Sequence, residues 1–200
     1  DWLMPSMDVY RNRWPEVELD IVSGFHADPV GLLHKGDAEL AIVSELCEEE
    51  GIVSFPLFRF EMVGLVPVDS KLAKRAYLKP SDFAGETLLT YPVPDDMLDV
   101  IKHFLMPAGV QVKRRSSELT VALLQLVASK RGLSALPAWA VKGYVDRGYV
   151  AQVPLGRKGL ISTLYAALPK AIAGKHYTAD FVAVMREVCA RELDGIELLG

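Results

Sequence analysis

The chain has 200 residues, 50% of them apolar and 24% charged, so it can bury a core and an intrinsically disordered chain is excluded. Its 26 Asp and Glu residues outnumber 22 Lys and Arg residues, and the net charge of −4 excludes a protein that coats nucleic acid through a basic face. The 2 cysteines match no metal or redox spacing, which favours a reducing compartment such as the cytoplasm. The apolar runs are far shorter than the roughly 20 residues of a membrane-spanning helix.

Helices and strands are predicted to alternate from the start of the chain. Apolar residues at steps of three and four predict a helix over residues 1–13. Alternating apolar and acidic residues over 17–22 predict a strand with one buried face. A short helix over 28–36 has an Asp N-cap, a proline in its first turn and a terminal glycine, and 40–43 is a continuous apolar strand. Strand, helix and strand in this order form a βαβ unit, which predicts a parallel sheet.

Two β-rich stretches, residues 52–68 and 162–168, are the candidates for strands that cross between two halves of the chain. Further strands are predicted at 87–91, 111–115, 133–136 and 150–153, and helices at 95–105, 118–129, 137–148 and 176–193. This order predicts an α/β fold of two Rossmann-like lobes joined by two strands, with a cleft at the carboxyl ends of the strands. The expected first lobe comprises residues 1–64 and 166–200, and the second comprises 65–165.

No catalytic or metal-binding set is visible in the sequence. Ser134 lies in a GLSAL stretch that lacks the second glycine of a nucleophile elbow. The four histidines are scattered and none lies at a ligand spacing from a cysteine. The basic run 113–115 lies on a predicted strand, which splits its side chains between two faces and argues against a nucleic-acid patch. We therefore expect a protein that is not an enzyme and has no metal or cofactor.

Polar residues stand where predicted strands end, at positions 23–24, 44–45, 91–92 and 116–118. In a two-lobed fold these strand ends converge on the cleft. Hydroxyl groups and the free N–H groups of helix N-termini suit a carboxylate, and Glu45 or Glu118 suits an ammonium group. A small zwitterion is therefore a reasonable ligand. The alternative is that Ser116 and Ser117 only cap the following helix.

A series of motifs in order along the chain carries a family likeness: residues 2–5 (WLMP), 14–20 (WPEVELD), 23–24 (SG), 38–44 (AELAIVS) and 132–137 (GLSALP). They resemble the effector-binding domain of LysR-type transcriptional regulators. Residues 85–93 (GETLLTYPV) and 164–167 (LYAA) are similar, more narrowly, to the MetR-like subgroup, regulators of methionine biosynthesis. The likeness covers essentially the whole chain.

The resemblance implies two lobes like those of type 2 periplasmic binding proteins, with an effector between them. For the MetR-like subgroup the implied effector is homocysteine, acting as a coactivator. The resemblance also implies a homodimer or tetramer that binds promoter DNA only through an N-terminal winged helix-turn-helix. We expect the chain to be a fragment without that domain and without the first strand of the first lobe. The alternative is a periplasmic-type solute receptor for an amino acid.

The residues expected to bind the effector are those at the strand ends together with the end of the 133–136 strand. They are Ser23, Gly24, Ser44, Glu45, Tyr91, Pro92, Ser116, Ser117, Glu118, Leu136 and Pro137. Among them, Ser116 or Ser117 is expected to donate to the effector carboxylate.

One predicted strand edge is acidic and another is basic. Glu18 and Asp20 share a face of the strand over 17–22, and Lys113 and Arg115 share a face of the strand over 111–115. The family resemblance implies effector domains that associate head to tail, which would place each acidic edge beside a basic one. The alternative is a monomer whose edges are charged for solubility. The residues expected at the dimer interface are Glu18, Asp20, Lys113, Arg115, Met4 and Phe104, with Val100 on the same helix surface as Phe104.

Overall fold

Helices and strands alternate along the chain in a computed structural model that describes residues 2–22 and 28–200. The α-helices are α1 (Leu3–Arg13), α2 (Pro29–Lys35), α3 (Thr120–Ala128), α4 (Ala138–Asp146), α5 (Lys170–Ala173) and α6 (His176–Glu192). The strands are β1 (Ala41–Val43), β2 (Ile52–Val66), β3 (Thr87–Thr90), β4 (Lys113–Ser116), β5 (Leu133–Pro137), β6 (Ala151–Pro154), β7 (Leu160–Pro169) and β8 (Ile196–Leu198). Short 3₁₀ turns cover Lys71–Lys74, Pro80–Phe83, Asp95–Met97 and Met106–Ala108, and a π-helix covers Val100–Leu105. The predicted α/β class is confirmed.

The chain forms two compact units. Unit 1 comprises the residues up to 59 and those from 163 onward, and unit 2 comprises residues 60–162. The chain passes from one unit to the other within β2 and again within β7. These boundaries lie a few residues earlier in the chain than 64 and 165, the positions expected from the sequence.

In unit 1, α1 packs against the long helix α6. Tyr10 is 1% exposed, its ring centroid lies 4.7 Å from that of Phe181, and its hydroxyl donates to the carbonyl oxygen of Tyr177 at 2.9 Å. Burial, and secondarily the charge of Asp180, raises the pKa of Tyr10 to about 12. The predicted apolar stripe of the first helix therefore faces the core.

Helix α2 begins and ends where the sequence predicts. The Asp28 carboxylate accepts the N–H of Gly31 at 2.7 Å, and Pro29 is the first helical residue. Gly36 ends the helix in the left-handed conformation, with φ of 77°. The capping residues in the sequence were sufficient to place this helix.

The predicted strand over residues 17–22 is wrong. These residues belong to no strand. Val17 and Leu19 are half-buried and Glu18 and Asp20 are exposed, as the alternation suggests, but Ile21, expected on the buried face, is 45% exposed. An extended segment becomes a strand only when its N–H and C=O groups pair with a neighbour, and alternation alone does not supply one. The βαβ unit predicted here is also wrong, because its first strand does not form, and β1 pairs instead with β7 in antiparallel fashion.

In unit 2 the strands lie in the order β2-β5-β3-β4, and β6 also pairs with β2. β3 is parallel to both β4 and β5, with Thr90 opposite Ser116 and Leu89 opposite Ser134. β2 is antiparallel to β5 and to β6. The carboxyl ends of β3, β4 and β5 therefore lie at one edge of the sheet.

Unit 2 has an apolar core in which side chains of the sheet meet those of α3 and α4. Leu65 and Leu89 of the sheet, Leu123 of α3 and Val141 of α4 are each 0% exposed. Gly132, which precedes β5, lies against β3 so closely that a Cβ there would be 2.2 Å from the carbonyl oxygen of Thr87. The glycine at the start of the GLSALP motif is therefore needed for the pairing of β5 with β3.

Two predicted helices of unit 2 differ in detail from the structure. Residues 95–105 form a 3₁₀ turn and then a π-helix rather than a regular α-helix. Pro107, which has no N–H, follows in the next 3₁₀ turn, and the Ser162 hydroxyl hydrogen-bonds the carboxylate of Asp99 just before the π-helix. The helix predicted at 118–129 begins at Thr120, so Glu118 lies outside it.

Candidate effector site

The candidate site in unit 2 lies at the sheet edge where β3, β4 and β5 end. The Ser117 N–H donates to the carbonyl oxygen of Thr90 at 3.0 Å, which continues the pairing of β3 and β4 past their last residues. This brings Ser116 and Ser117 beside Tyr91 and Thr90. Leu136 is buried, and Pro137 ends β5 as the N-cap of α4. Parallel pairing of these strands therefore gathers most of the predicted site residues of this unit.

The Tyr91 hydroxyl is fixed by a hydrogen bond to Thr120, the first residue of α3, with 2.6 Å between Oη and Oγ1. Burial raises the pKa of the Tyr91 phenol, while the hydrogen bond with Thr120 acts in the opposite direction. The phenol is neutral at physiological pH and one hydroxyl of the pair donates to the other. Thr120 was missed in the sequence because it lies inside an apolar helical stretch.

The N-terminus of α3 adds further donors at this edge. Its N-cap is Leu119, which has no capping side chain, so the predicted capping of this helix by Ser116 or Ser117 is wrong. Instead, the Ser117 hydroxyl accepts the N–H of Leu119 at 3.3 Å in the turn before the helix. The first N–H groups of a helix have no partner within it, and the helix dipole favours an anion there. Hydroxyl and N–H groups together make this edge suitable for a carboxylate.

Arg114 of β4 reaches the loop that follows β3. Its guanidinium hydrogen-bonds the Thr90 hydroxyl and the carbonyl oxygens of Tyr91 and Val93, and forms an ion pair with Asp95. The sequence places Arg114 on the opposite strand face from its two basic neighbours, but it gives no sign of these acceptors. Arg114 is therefore a second residue at this edge that sequence reasoning missed.

Ser134 belongs to the strand rather than to the site. Its hydroxyl is 0% exposed and donates to the carbonyl oxygen of Leu89 at 2.7 Å. A hydroxyl held in this way ties β5 to β3 and is not available as a nucleophile. Among the described residues, no group of three side chains is arranged to hold a metal ion, and no helix is long and apolar enough to cross a membrane.

The remaining predicted site residues lie in unit 1, outside the described residues, or at exposed positions of unit 2. Ser44 is half-buried and Glu45 is exposed, directly after β1. Ser23 and Gly24 lie outside the described residues. In unit 2, Pro92 and Glu118 are exposed.

The residues predicted at a dimer interface have mixed exposure. Met4 is 52% exposed, and Lys113 and Arg115 are exposed on β4, which ends the strand order of unit 2. Phe104 is half-buried against Phe83, with 6.0 Å between ring centroids. Two expectations are corrected. Glu18 and Asp20 are exposed but lie on no strand, and Val100, expected on the helix surface, is 1% exposed.

A family model described as the LysR substrate binding domain matches residues 1–190. The chain belongs to this LysR family. It is similar to the HTH-type transcriptional regulator MetR of Haemophilus influenzae, with 45% identity over 199 residues that cover 100% of this chain and 64% of that protein. The chain thus spans less than two thirds of the length of this curated relative.

Solved structures of the LysR family agree with this assignment. The regulatory domain of NMB2055 (MetR) from N. meningitidis has a TM-score of 0.93 at 50% identity, covering 100% of this chain and 93% of that one. A reduced form of OxyR from N. meningitidis has a TM-score of 0.80 at 19% identity, covering 100% and 94%, which shows the fold alone. The two MetR relatives are described as regulators and not as enzymes, in agreement with the sequence expectation.

Proposed function

We propose that this chain is the effector-binding domain of a MetR-like transcriptional regulator and that it senses a sulfur amino acid, homocysteine. The similarity of the entire chain to MetR regulatory domains carries this proposal. We further propose that the whole protein acts in the cytoplasm as a homodimer or tetramer. It binds promoter DNA through a domain in the part of the relatives' length that this chain does not cover.

The sheet edge of unit 2 supports an amino acid as the effector. We propose that Ser116 or Ser117 donates to its carboxylate, helped by the N-terminal N–H groups of α3. Glu118 would accept from its ammonium group. The proposed lining residues in unit 2 are Tyr91, Pro92, Leu136 and Pro137, to which the structure adds Thr120.

Calorimetric titration of the chain with homocysteine, methionine and cysteine tests the proposal. Replacing Ser116 and Ser117 together by Ala removes the proposed donors to a charged group and should weaken homocysteine binding by about 1.5–3 kcal/mol. Ser129→Ala is the matched control, because Ser129 lies beyond the other end of α3 and its hydroxyl accepts from Gln125. If the double variant binds homocysteine within twofold of the unaltered chain, the carboxylate assignment is wrong. If none of the three amino acids binds, the proposed effector class is wrong.

A further inference from the structure

Arg114 contacts acceptors along the whole loop that follows β3. Its Nη2 donates to the carbonyl oxygens of Tyr91 at 3.2 Å and Val93 at 2.9 Å. Nη2 and Nε also contact the Thr90 hydroxyl, at 3.0 and 3.3 Å, and Nη1 pairs with the Asp95 carboxylate. The three acceptors of Nη2 share its two hydrogens, so both are engaged with this segment.

The backbone of this loop has few N–H groups near these carbonyl groups. Pro92 and Pro94 have no N–H to donate. Tyr91 and Val93 each precede a proline, which biases them toward extended conformations and away from helical turns. For these half-buried carbonyl groups Arg114, from another segment, supplies the donor. A guanidinium offers five N–H groups in one plane, whereas the lysine ammonium is a point charge without this fork.

The Asp95 end of the loop borders open space. A cavity of about 440 Å³ is lined by Arg114 and Asp95 together with residues of the π-helix, including Ile101 and Leu105. The Arg114 side chain itself is 26% exposed. Tyr91 at the start of the loop packs against the apolar core of unit 2, whereas the Val93 and Asp95 end is tied to β4 by Arg114.

We propose that Arg114 is a positioning residue of the effector site. Its guanidinium holds the backbone of Tyr91 so that the Tyr91 hydroxyl meets Thr120 at the start of α3. Arg114 acts through Tyr91 and does not contact the effector. This role rests on the proposed function, because it concerns the effector site of the same unit.

The test compares Arg114→Lys with Arg115→Lys. Both substitutions keep the charge and lie on β4, but Arg115 is exposed on the other face of the strand. Amide hydrogen exchange of the 87–95 segment and of the Ser117 N–H reads out the loop without any ligand. Calorimetry reads out homocysteine affinity, and urea unfolding reads out global stability. We expect Arg114→Lys to speed exchange and weaken homocysteine binding, each by at least about tenfold, with Arg115→Lys unchanged in both.

Chemical rescue tests whether the planar set of donors is what the site needs from Arg114. In Arg114→Ala, low millimolar guanidinium ion should restore part of the lost homocysteine affinity, and ammonium ion should not. Faster exchange in Arg114→Lys with unchanged affinity would overturn the positioning role. If the unaltered chain binds no homocysteine, the proposed effector is wrong, and amide hydrogen exchange of the loop alone then tests the inference about Arg114. Unchanged exchange would overturn the inference about Arg114, whereas faster exchange confined to the loop would support it.

Discussion

Ser134→Ala should cost stability without changing effector affinity. The Ser134 hydroxyl is 0% exposed and donates to the Leu89 carbonyl oxygen at 2.7 Å, in the centre of the parallel sheet of unit 2. Alanine removes the donor and leaves the carbonyl one hydrogen bond short, where water cannot replace it. The lost hydrogen bond and the cost of leaving a buried carbonyl oxygen with one partner fewer together predict a decrease of about 1–2 kcal/mol in the free energy of unfolding.

Urea unfolding followed by circular dichroism measures the stability, and calorimetric titration with homocysteine measures the affinity. Ser117→Ala is the informative comparison, because it removes the same hydroxyl from a half-buried position in the turn before α3. It should lose affinity and retain most of the stability. The reasoning about Ser134 is refuted if Ser134→Ala loses less than about 0.5 kcal/mol, the lower limit for a hydrogen bond, or loses affinity at unchanged stability.

Two further predictions concern pH and assembly. Burial raises the pKa of the Cys189 thiol to about 12. The thiol therefore loses its proton at lower pH in the unfolded chain, and the free energy of unfolding should fall as pH rises above about 9. In Cys189→Ala the free energy of unfolding measured in urea should depend less on pH in this range. If the free energy of unfolding falls equally steeply with pH in Cys189→Ala, this prediction is contradicted. Glu18→Lys with Asp20→Lys should weaken a head-to-tail dimer in sedimentation velocity, and adding Lys113→Glu with Arg115→Glu should restore it. If the variant with Glu18→Lys and Asp20→Lys is still fully dimeric, this pairing of charges is ruled out.

The sequence predicted correctly those helices whose ends are determined by capping residues next to them. The Asp28 cap and the Gly36 stop placed α2, because both act within one helical turn. β3 and β5 were found because buried parallel strands read as short apolar runs. The grouping of residues at the ends of these strands followed from parallel pairing, which makes Tyr91 and Ser117 neighbours at one sheet edge.

Features that depend on a distant partner were missed. Residues 17–22 have the alternation of a strand, yet a strand is defined by the neighbour with which it pairs. The bond between Tyr91 and Thr120 joins residues of two elements, and a threonine in an apolar helical stretch gives no sign of it. Arg114 was missed for the same reason, since its acceptors are carbonyl groups of another segment and carry no side-chain signature.

The basic run of β4 shows why a charge run must be resolved residue by residue. Successive side chains of a strand point to opposite faces, so Lys113 and Arg115 are exposed while Arg114 turns to the loop after β3. Removing all three charges would disturb the loop and the exposed face at once. Arg114→Lys keeps the charge and removes only the planar set of donors, whereas charge reversal at Lys113 and Arg115 leaves those donors in place. Loss of homocysteine affinity in the first variant and loss of self-association in the second would therefore have separate causes, although the residues are adjacent in the chain.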